Sequence, residues 1–333
     1  KTVELENNKK IPVIVIFAPT ATGKTALTEH LFGDGSHSFF KDGIKQTPLE
    51  KFNAEIISAD SMAVYKYMNI GTAKPDENLL KKIPHHMIDL VTPDVQFSVS
   101  DFVTKADEYC KEIYERGNIP VVCGGTGFYI RNFLLGLPDT PESNPEIRNN
   151  LKRELEKSGI DFMYEKLKLI DPLSAEKINK NDAYRILRAL EVFYLTGKPR
   201  SSFELSNKLR DKFNFITVIL ERDRKELYER IDLRIEQMFK EGLKEEVDGL
   251  IKMGYKKENP GMQAIGYREF FMNLDSDEAI KEKIKSDSHA YAKKQYVFMK
   301  EIPGARTFNL NETDSIQDLC RELSLYFCQS ILS

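Results

Sequence analysis

The sequence predicts an α/β fold, a parallel sheet flanked by helices, with an all-helical insertion in the second half of the chain. Three observations predict it. Short, continuous apolar runs recur at Ile11–Phe17, Ile119–Cys123 and Phe215–Leu220, the pattern of strands buried on both faces. Helical patterns lie between such runs, as the crossover connections of a parallel sheet require. The stretch from Glu142 to Ser206 is charged and helical and contains no strand-like run.

Taken in order, Ile11–Phe17 is the first strand, followed by a turn and a helix from about Lys24 to Leu31. Gly33 to Lys51 is polar and glycine-bearing and reads as a surface insertion. Glu55–Ser58 is a second buried strand. Ser100 precedes Asp101 and a helix through Tyr114, with Ala106, Cys110 and Ile113 on one face. Arg116-Gly117-Asn118 ends that helix, and Ile119–Cys123 is the third strand. After Leu137-Pro138 the character changes to the helical insertion. Phe215–Leu220 then returns to the buried-strand pattern. Arg224 to Met253 reads as one long amphipathic helix, with Leu227, Ile231, Ile235, Met238, Leu243, Val247 and Leu250 on its core face. The expected division is a sheet domain of residues 1–141 and 207–333, and a helical domain of residues 142–206.

The bulk composition limits the function classes. The chain has 333 residues, 41% hydrophobic and 30% charged, enough for a sizeable core or two linked ones. Its formal net charge of −3 excludes a globally basic nucleic-acid binder, so any RNA contact must come from local patches. Cys110, Cys123, Cys320 and Cys328 have neither the spacing nor the accompanying histidines of a zinc site, and suggest no disulfide framework. Lys1 to Lys10 is polar and lacks the apolar stretch of a secretory leader, and the longest apolar runs fall short of a membrane span. The start at Lys1 rather than Met points to a trimmed chain. The expectation is a reduced, cytoplasmic protein without a membrane segment or an obligate protein partner.

Ala18-Pro19-Thr20-Ala21-Thr22-Gly23-Lys24-Thr25 lies between a buried strand and a helix, the context of a P-loop. Such a loop wraps backbone N–H groups around phosphate oxygens at a helix N-terminus. Lys24 adds a point charge, and the Thr25 hydroxyl can hold Mg²⁺. Ala18 stands where the motif usually opens with Gly. If that position needs positive φ, Ala costs roughly 1 kcal/mol there. The loop alone specifies a diphosphate or triphosphate binder and would suit a kinase or NTPase equally well.

The other strand ends narrow this. A kinase or NTPase wants an Asp at the end of a later strand for Mg²⁺. The third strand instead runs into Gly124-Gly125-Thr126-Gly127-Phe128-Tyr129, a flexible loop with one hydroxyl, and the second ends in Ser58-Ala59-Asp60-Ser61. Ligands of open α/β sheets bind at the carboxyl ends of the strands, so Asp60, Thr126 and the P-loop converge on one crevice. Arg224, just beyond the fourth buried run, could neutralise a diphosphate there; the plain alternative is a solvated first-turn arginine. Phe128 and Tyr129 could wall an apolar pocket or simply pack in the core. His85 and His86 read as structural hydrogen-bonding groups, because adjacent side chains rarely face one ion.

At this point the chain resembles the tRNA dimethylallyltransferase (isopentenyltransferase) family. The matching segments are Ala18–Thr25, Ile57–Tyr65, Asn69–Pro75 (Asn-Ile-Gly-Thr-Ala-Lys-Pro), Pro84–Asp89 (Pro-His-His-Met-Ile-Asp) and Gly124–Tyr129. They continue with Asn181–Val192, Gly261–Glu269 (Gly-Met-Gln-Ala-Ile-Gly-Tyr-Arg-Glu) and Tyr291–Gln295. They occur in family order from about residue 11 to 310. The chain departs from the family at Ala18 (usually Gly), Ala63 (Gln in many members), Lys294 (usually Arg) and Phe298 (usually Trp).

The resemblance implies transfer of a dimethylallyl group from dimethylallyl diphosphate to the exocyclic amine of an adenine next to the anticodon of tRNA. The P-loop, Ala18 to Thr25, would carry the donor's diphosphate with Mg²⁺. Asp60 would be the general base, and Thr126 would hydrogen-bond near the bridging phosphate oxygen. Asp60, Ser61, Met62, Ala63 and Thr126 would meet the target base. The helical insertion, with Arg148, Tyr184, Arg185 and Arg188, would hold the anticodon stem-loop, and Gln263 and Arg268 would lie near the RNA. Without the resemblance, those arginines read as a solvated charged face.

Local charge adds Lys293 and Lys294. The stretch 281–306 holds Lys281, Lys283, Lys285, Lys293, Lys294, Lys300 and Arg306 against Glu282, Asp287 and Glu301, with Tyr291, Tyr296 and Phe298 interleaved as stacking surfaces. Three other readings stay open on sequence: an adenylate (cytokinin-type) isopentenyltransferase, a P-loop kinase or NTPase, and a non-enzymatic RNA-binding protein.

Overall fold

The structure, a computed structural model, describes residues 10–33, 53–203, 205–311 and 315–332. The polar start through residue 9, and the expected surface insertion from residue 34 onward, lie outside the described residues. The chain divides into two compact units, one of Lys1–Leu134 with Arg210–Ser333 and one of Leu135–Leu209.

The first unit is built on a six-stranded sheet in the order β3-β2-β4-β1-β5-β6. Its strands are β1 (Ile11–Phe17), β2 (Ala54–Ser58), β3 (His85–His86), β4 (Ile119–Gly124), β5 (Phe213–Glu221) and β6 (Arg306–Asn309). Every neighbouring pair is parallel. In register, Ile56, Val121, Ile14 and Ile216 form one row across the four central strands. That row packs under α1 (Lys24–Phe32), whose Leu27 and Leu31 join Leu319, Leu323 and Phe327 of a C-terminal helix, Ile316–Leu332, in one core. Val13 and Val15 alternate to the opposite face and are equally inaccessible. This double burial is why the strands read as unbroken apolar runs.

A short helix α2 (Glu77–Lys82) leads into β3. The following helix, α3, spans Val99–Glu115, two residues earlier than the sequence reading. Its cap is Ser98 rather than Ser100: the Ser98 hydroxyl accepts from the Asp101 N–H while the Asp101 carboxylate accepts from the Ser98 N–H. Ser98-Val-Ser-Asp101 therefore closes a reciprocal capping box with Asp in the place usually given to Glu. Helix α4 (Gly127–Leu135) follows β4 directly, and its Phe133 meets Phe215 of β5 edge-on.

The second unit is helical: α5 (Pro145–Ile170, kinked at Gly159), α6 (Pro172–Lys177) and α7 (Ala183–Thr196). Among its described residues there is no strand. Leu151, Met163, Leu167, Ile186 and Leu190 form its core.

Back in the first unit, the expected long helix from Arg224 to Met253 is two helices, α8 (Arg224–Lys240) and α9 (Leu243–Lys252). Gly242, at φ 98°, breaks them apart in a left-handed conformation that glycine adopts without steric cost. The anticipated core residues are buried on both pieces. The five-residue step from Met238 to Leu243, where a helix wants three or four, was the sequence trace of the break. After α9 come α10 (Asp277–Met299) and α11, the helix Ile316–Leu332 already met.

One buried charge lies inside this sheet. Glu55 of β2 is 4% exposed and accepts hydrogen bonds from Arg116 (2.7 Å), Asn118 (2.6 Å) and His86 (2.6 Å). His85 contacts the Ile83 carbonyl at 2.7 Å, so both histidines of β3 serve structure. Burial pushes the Glu55 carboxyl up, but the bonds from Arg116, Asn118 and His86 outweigh it and hold it at about 2, below the ordinary 4.5. A depressed acid contributes stability above its unfolded value and loses it as the pH falls. Glu55→Gln should cost about 2 kcal/mol at neutral pH, allowing for the half-exposed Arg116. In urea titrations, its gap to wild type should shrink below pH 4.5 and close toward pH 2.

Candidate active site at the carboxyl edge of the sheet

Beyond Phe17 the chain turns through Ala18–Gly23 into α1. Ala18 is fully buried and its N–H donates to the Gly124 carbonyl at 3.2 Å. The left-handed residues of the loop are Ala21 (φ 58°) and Gly23 (φ 108°), so the exchange of glycine for Ala18 carries no backbone strain. Helix α1 has no side-chain cap, and the N–H groups of Lys24 and Thr25 have no protein acceptor among the described residues. They are the open donors of an anion-binding helix start.

Four cations close around this loop. Lys24 Nζ donates to the carbonyls of Ala18 (3.2 Å) and Pro19 (3.0 Å). Arg222 reaches the Thr22 carbonyl at 3.2 Å, Arg230 the Ala21 carbonyl at 2.8 Å, and Arg234 the Thr20 hydroxyl at 3.1 Å. Arg230 and Arg234 lie one turn apart on α8, which starts just after β5. They and Leu233 line a cavity of about 330 Å³ together with Ala21, Gly23, Lys24 and Thr25. Arg224, the arginine that sequence reading had chosen, is the exposed first residue of α8 and does not line that cavity. The useful signal was the four-residue spacing of Arg230 and Arg234 on a helix that begins at the carboxyl edge of the sheet.

The cavity is electrostatically unbalanced. Burial, reinforced by repulsion from Arg234, pulls the Lys24 ammonium below its ordinary range, while Cys123 and Asp60 oppose the shift. Burial likewise lowers Arg234, opposed by Asp60. No carboxylate lies within ion-pair distance of either cation among the described residues. Two desolvated cations sharing one loop call for an anion of more than one charge.

Asp60 sits at the end of β2, half-buried. Its carboxylate accepts from the N–H of Met62 (2.8 Å) and of Ala63 (3.4 Å), which fixes its orientation in the turn. The Thr126 hydroxyl accepts from the Ser61 N–H at 3.0 Å, tying the end of β4 to the end of β2. The loop between β4 and α4, read as flexible, is tightly packed. A Cβ on Gly124 would meet the Ala59 carbonyl oxygen at 2.3 Å, one on Gly125 the Gln295 amide at 2.5 Å, and one on Gly127 the Phe298 side chain at 2.5 Å. Each glycine admits a different neighbour. Tyr129 is core, stacked on Phe102 with its hydroxyl donating to the Phe97 carbonyl, whereas Phe128 is exposed.

A family model described as IPP transferase matches residues 63–302. A tRNA dimethylallyltransferase of Clostridioides difficile is 40% identical over 97% of this chain and 99% of its own length. One from Aquifex aeolicus is 42% identical over 93% and 96%. The chain belongs to the IPP transferase family. Among solved structures it is similar to the tRNA delta(2)-isopentenylpyrophosphate transferase of Staphylococcus epidermidis, with TM-score 0.63, 33% identity and coverage of 95% and 98%. It is also similar to a eukaryotic dimethylallyltransferase acting on tRNA, with TM-score 0.72, 28% identity and coverage of 93% and 77%.

In this IPP transferase the other expected residues are placed unevenly. In the helical unit, Arg148 and Arg188 both bind the fully buried Glu191, at 3.1 and 2.9 Å. Arg185 remains largely exposed beside Asp182, and Arg148 covers the ring of the exposed Tyr184. In the sheet unit, Gln263 donates to the Lys257 carbonyl, and Arg268 is held by Asp287 at 2.8 Å and Glu269 at 3.1 Å. Lys281 and Lys285 pair with Glu236, and Lys283 pairs with Asp287. Lys293 and Lys294 are exposed and have no ion pair among the described residues. The interleaved aromatics are not free stacking surfaces. Tyr291 interacts with Thr126 and Gln295, the Tyr296 hydroxyl donates to the Arg222 carbonyl, and Phe298 packs against Gly127.

Sequence reading missed Glu246 altogether. Its carboxylate accepts from the N–H groups of Asn69 and Ile70 and from the Tyr267 hydroxyl, while Tyr267 fills the space over Gly71. Two matching segments, Asn69–Pro75 and Gly261–Glu269, thus owe their shape to each other.

Arg234→Met should leave the ligand-free protein as stable as wild type or more so, because it removes a desolvated cation with no counter-ion among the described residues. Inorganic diphosphate should stabilise wild type by about 2.7 kcal/mol at 100 times its Kd. Thermal melts with and without diphosphate should show that stabilisation greatly reduced in Arg234→Met.

Proposed function

We propose that this IPP transferase moves a dimethylallyl group from dimethylallyl diphosphate to the exocyclic amine of the adenine next to the anticodon in tRNA, releasing diphosphate. The observation that carries the proposal is the pairing of two groups at one sheet edge. One is a loop cavity with the desolvated, partly buried Lys24 and Arg234, neither with a counter-ion among the described residues; the other is the oriented carboxylate of Asp60 at the next strand end but one. A kinase or NTPase would want a metal-binding Asp where β4 instead runs into Gly124-Gly125-Thr126.

The amine is a poor nucleophile, so transfer depends on stabilising the leaving diphosphate. The open N–H groups at the start of α1, with Lys24, Arg230 and Arg234, are aimed at that charge before it develops. Arg230 and Arg234 take the role that sequence reading gave to Arg224. The exposed Thr25 hydroxyl beside the cavity suits a hard cation, and Mg²⁺ held there with donor oxygens would add positive charge to the leaving group. Asp60 accepts the proton from the amine, and Thr126, tied to Ser61, donates toward the bridging oxygen.

The helical unit, expected as residues 142–206, would hold the anticodon stem-loop, with Arg185 and Tyr184 as its accessible contacts, because Glu191 occupies Arg148 and Arg188. Lys293 and Lys294 add phosphate contacts. A tRNA substrate supports the reading of a cytoplasmic enzyme, and no helix among the described residues is long and apolar enough to cross a membrane.

The test is transfer of labelled dimethylallyl to an anticodon stem-loop and to AMP. The stem-loop should be far the better acceptor, since phosphate contacts offset the few kcal/mol needed to extrude the adenine. Equal kcat/KM on AMP would instead make this a cytokinin-type enzyme, and phosphate transfer from ATP would make it a kinase. Asp60→Asn should lower kcat by ~10²–10⁴-fold while stem-loop affinity changes little. Removing Lys293 and Lys294 together should reduce the slope of log K against log salt by about 1 to 2.

A further inference from the structure

The β1–β4 ladder pairs Phe17 with Gly124, and its last rung is the Ala18 N–H on the Gly124 carbonyl. Beyond that rung the two backbones part, one into the P-loop and one into the Gly125–Gly127 turn. Neither turn contacts the other through main-chain bonds among the described residues. A single side chain from α10 spans the gap. Gln295, 2% exposed, accepts the Thr20 N–H at 3.1 Å through Oε1 and donates Nε2 to the Gly125 carbonyl at 2.6 Å.

Both ends of the amide are used, one as acceptor and one as donor, and on different loops. An ammonium or a carboxylate of similar length could serve only one end. Gly125 is shaped for it, since any Cβ there would occupy the amide nitrogen's place. One turn earlier on α10, Tyr291 interacts with both Gln295 and Thr126 and lies within electrostatic reach of Asp60. One helix face therefore touches the loop proposed for diphosphate, the hydroxyl proposed for its bridging oxygen, and the neighbourhood of the base.

We infer that Gln295 is a positioning residue for transfer, setting the distance between the diphosphate loop and the Thr126–Asp60 side of the crevice. This rests on the proposed transfer reaction. The loops carry the two halves of that reaction, leaving group on one side and acceptor on the other, and a displacement of about 1 Å between such groups costs on the order of 10²-fold in rate.

The test uses the full chain with Gln295→Glu and Gln295→Met, measured by single-turnover transfer to a stem-loop across pH and corrected for folded fraction. A protonated Glu reproduces both bonds, with its hydroxyl donating to Gly125 and its carbonyl accepting from Thr20. An ionised Glu can only accept and repels the Gly125 carbonyl. Gln295→Glu should approach wild-type kcat at acid pH and fall as pH rises, along a limb that wild type lacks. Gln295→Met, of similar volume but without either bond, should lose roughly 10- to 100-fold in kcat at all pH. Stem-loop affinity and donor KM should stay within a few-fold of wild type, because the cations remain. A Glu variant that tracks the wild-type pH profile, a Met variant within twofold of wild type, or failure of both variants to fold would overturn the inference and leave Gln295 a packing residue. A wild type inactive on stem-loop would sink the transfer reading itself, whereas an active wild type with indifferent variants sinks only the positioning role.

Discussion

The crevice exists because the β1–β4 ladder stops at Phe17 and Gly124. Up to that rung, parallel pairing fixes every backbone atom. Past it, each chain must find new partners, or its N–H and C=O groups are buried unpaired. The P-loop finds them in side chains: Gln295 for the Thr20 N–H, Lys24 for the carbonyls of Ala18 and Pro19, and arginines for those of Ala21 and Thr22. The same cations that satisfy the loop from outside give the cavity its positive field. Support of the backbone and recognition of an anion are one arrangement here.

That arrangement explains how a chain of net charge −3 can present an anion site. Many surface cations are neutralised locally. Glu236 takes Lys281 and Lys285, Asp287 takes Lys283 and Arg268, and Glu191 takes Arg148 and Arg188. Lys24 and Arg234 have no such partner among the described residues, and their desolvation makes them effective, because a desolvated cation is worth far more to an incoming oxyanion than a hydrated one. Net charge therefore says little about this site; the presence of desolvated cations without counter-ions says much.

The four central strands were legible because each is buried on both faces, so their pattern needs no tertiary information; the short edge strands β3 and β6 are partly exposed, carry no apolar run and were not read. The P-loop was legible because its spacing is set by the phosphate rather than by the fold. Boundaries failed where a local hydrogen bond decided them. Ser98 wins the cap of α3 through its reciprocal bond with Asp101, and Gly242 breaks α8 from α9 by its positive φ. Choice among arginines turns on a different feature. Arg224 is adjacent to a strand end in sequence, but position along a helix decides reach, and among the described arginines of α8 it is Arg230 and Arg234 that line the cavity. Nor could the sequence show which cations were already occupied: Arg148 and Arg188 look identical to Arg185 until Glu191 is seen between them.

The glycines of Gly124-Gly125-Thr126-Gly127 carry this lesson furthest. A run of three glycines around a hydroxyl suggests mobility, yet each removes a side chain so that another group can approach. Ala59 backbone, the Gln295 amide and the Phe298 ring occupy the three spaces. The turn is held from three directions, and Thr126, bonded to Ser61, has little freedom left. In the proposed reaction that hydroxyl meets one oxygen of the diphosphate and benefits from this fixity, since preorganised donors need not reorganise as charge develops. Phe298, an aromatic that sequence reading offered to RNA, instead closes the turn's third side. Its side chain fills the space above Gly127, so the turn is packed on that side as well.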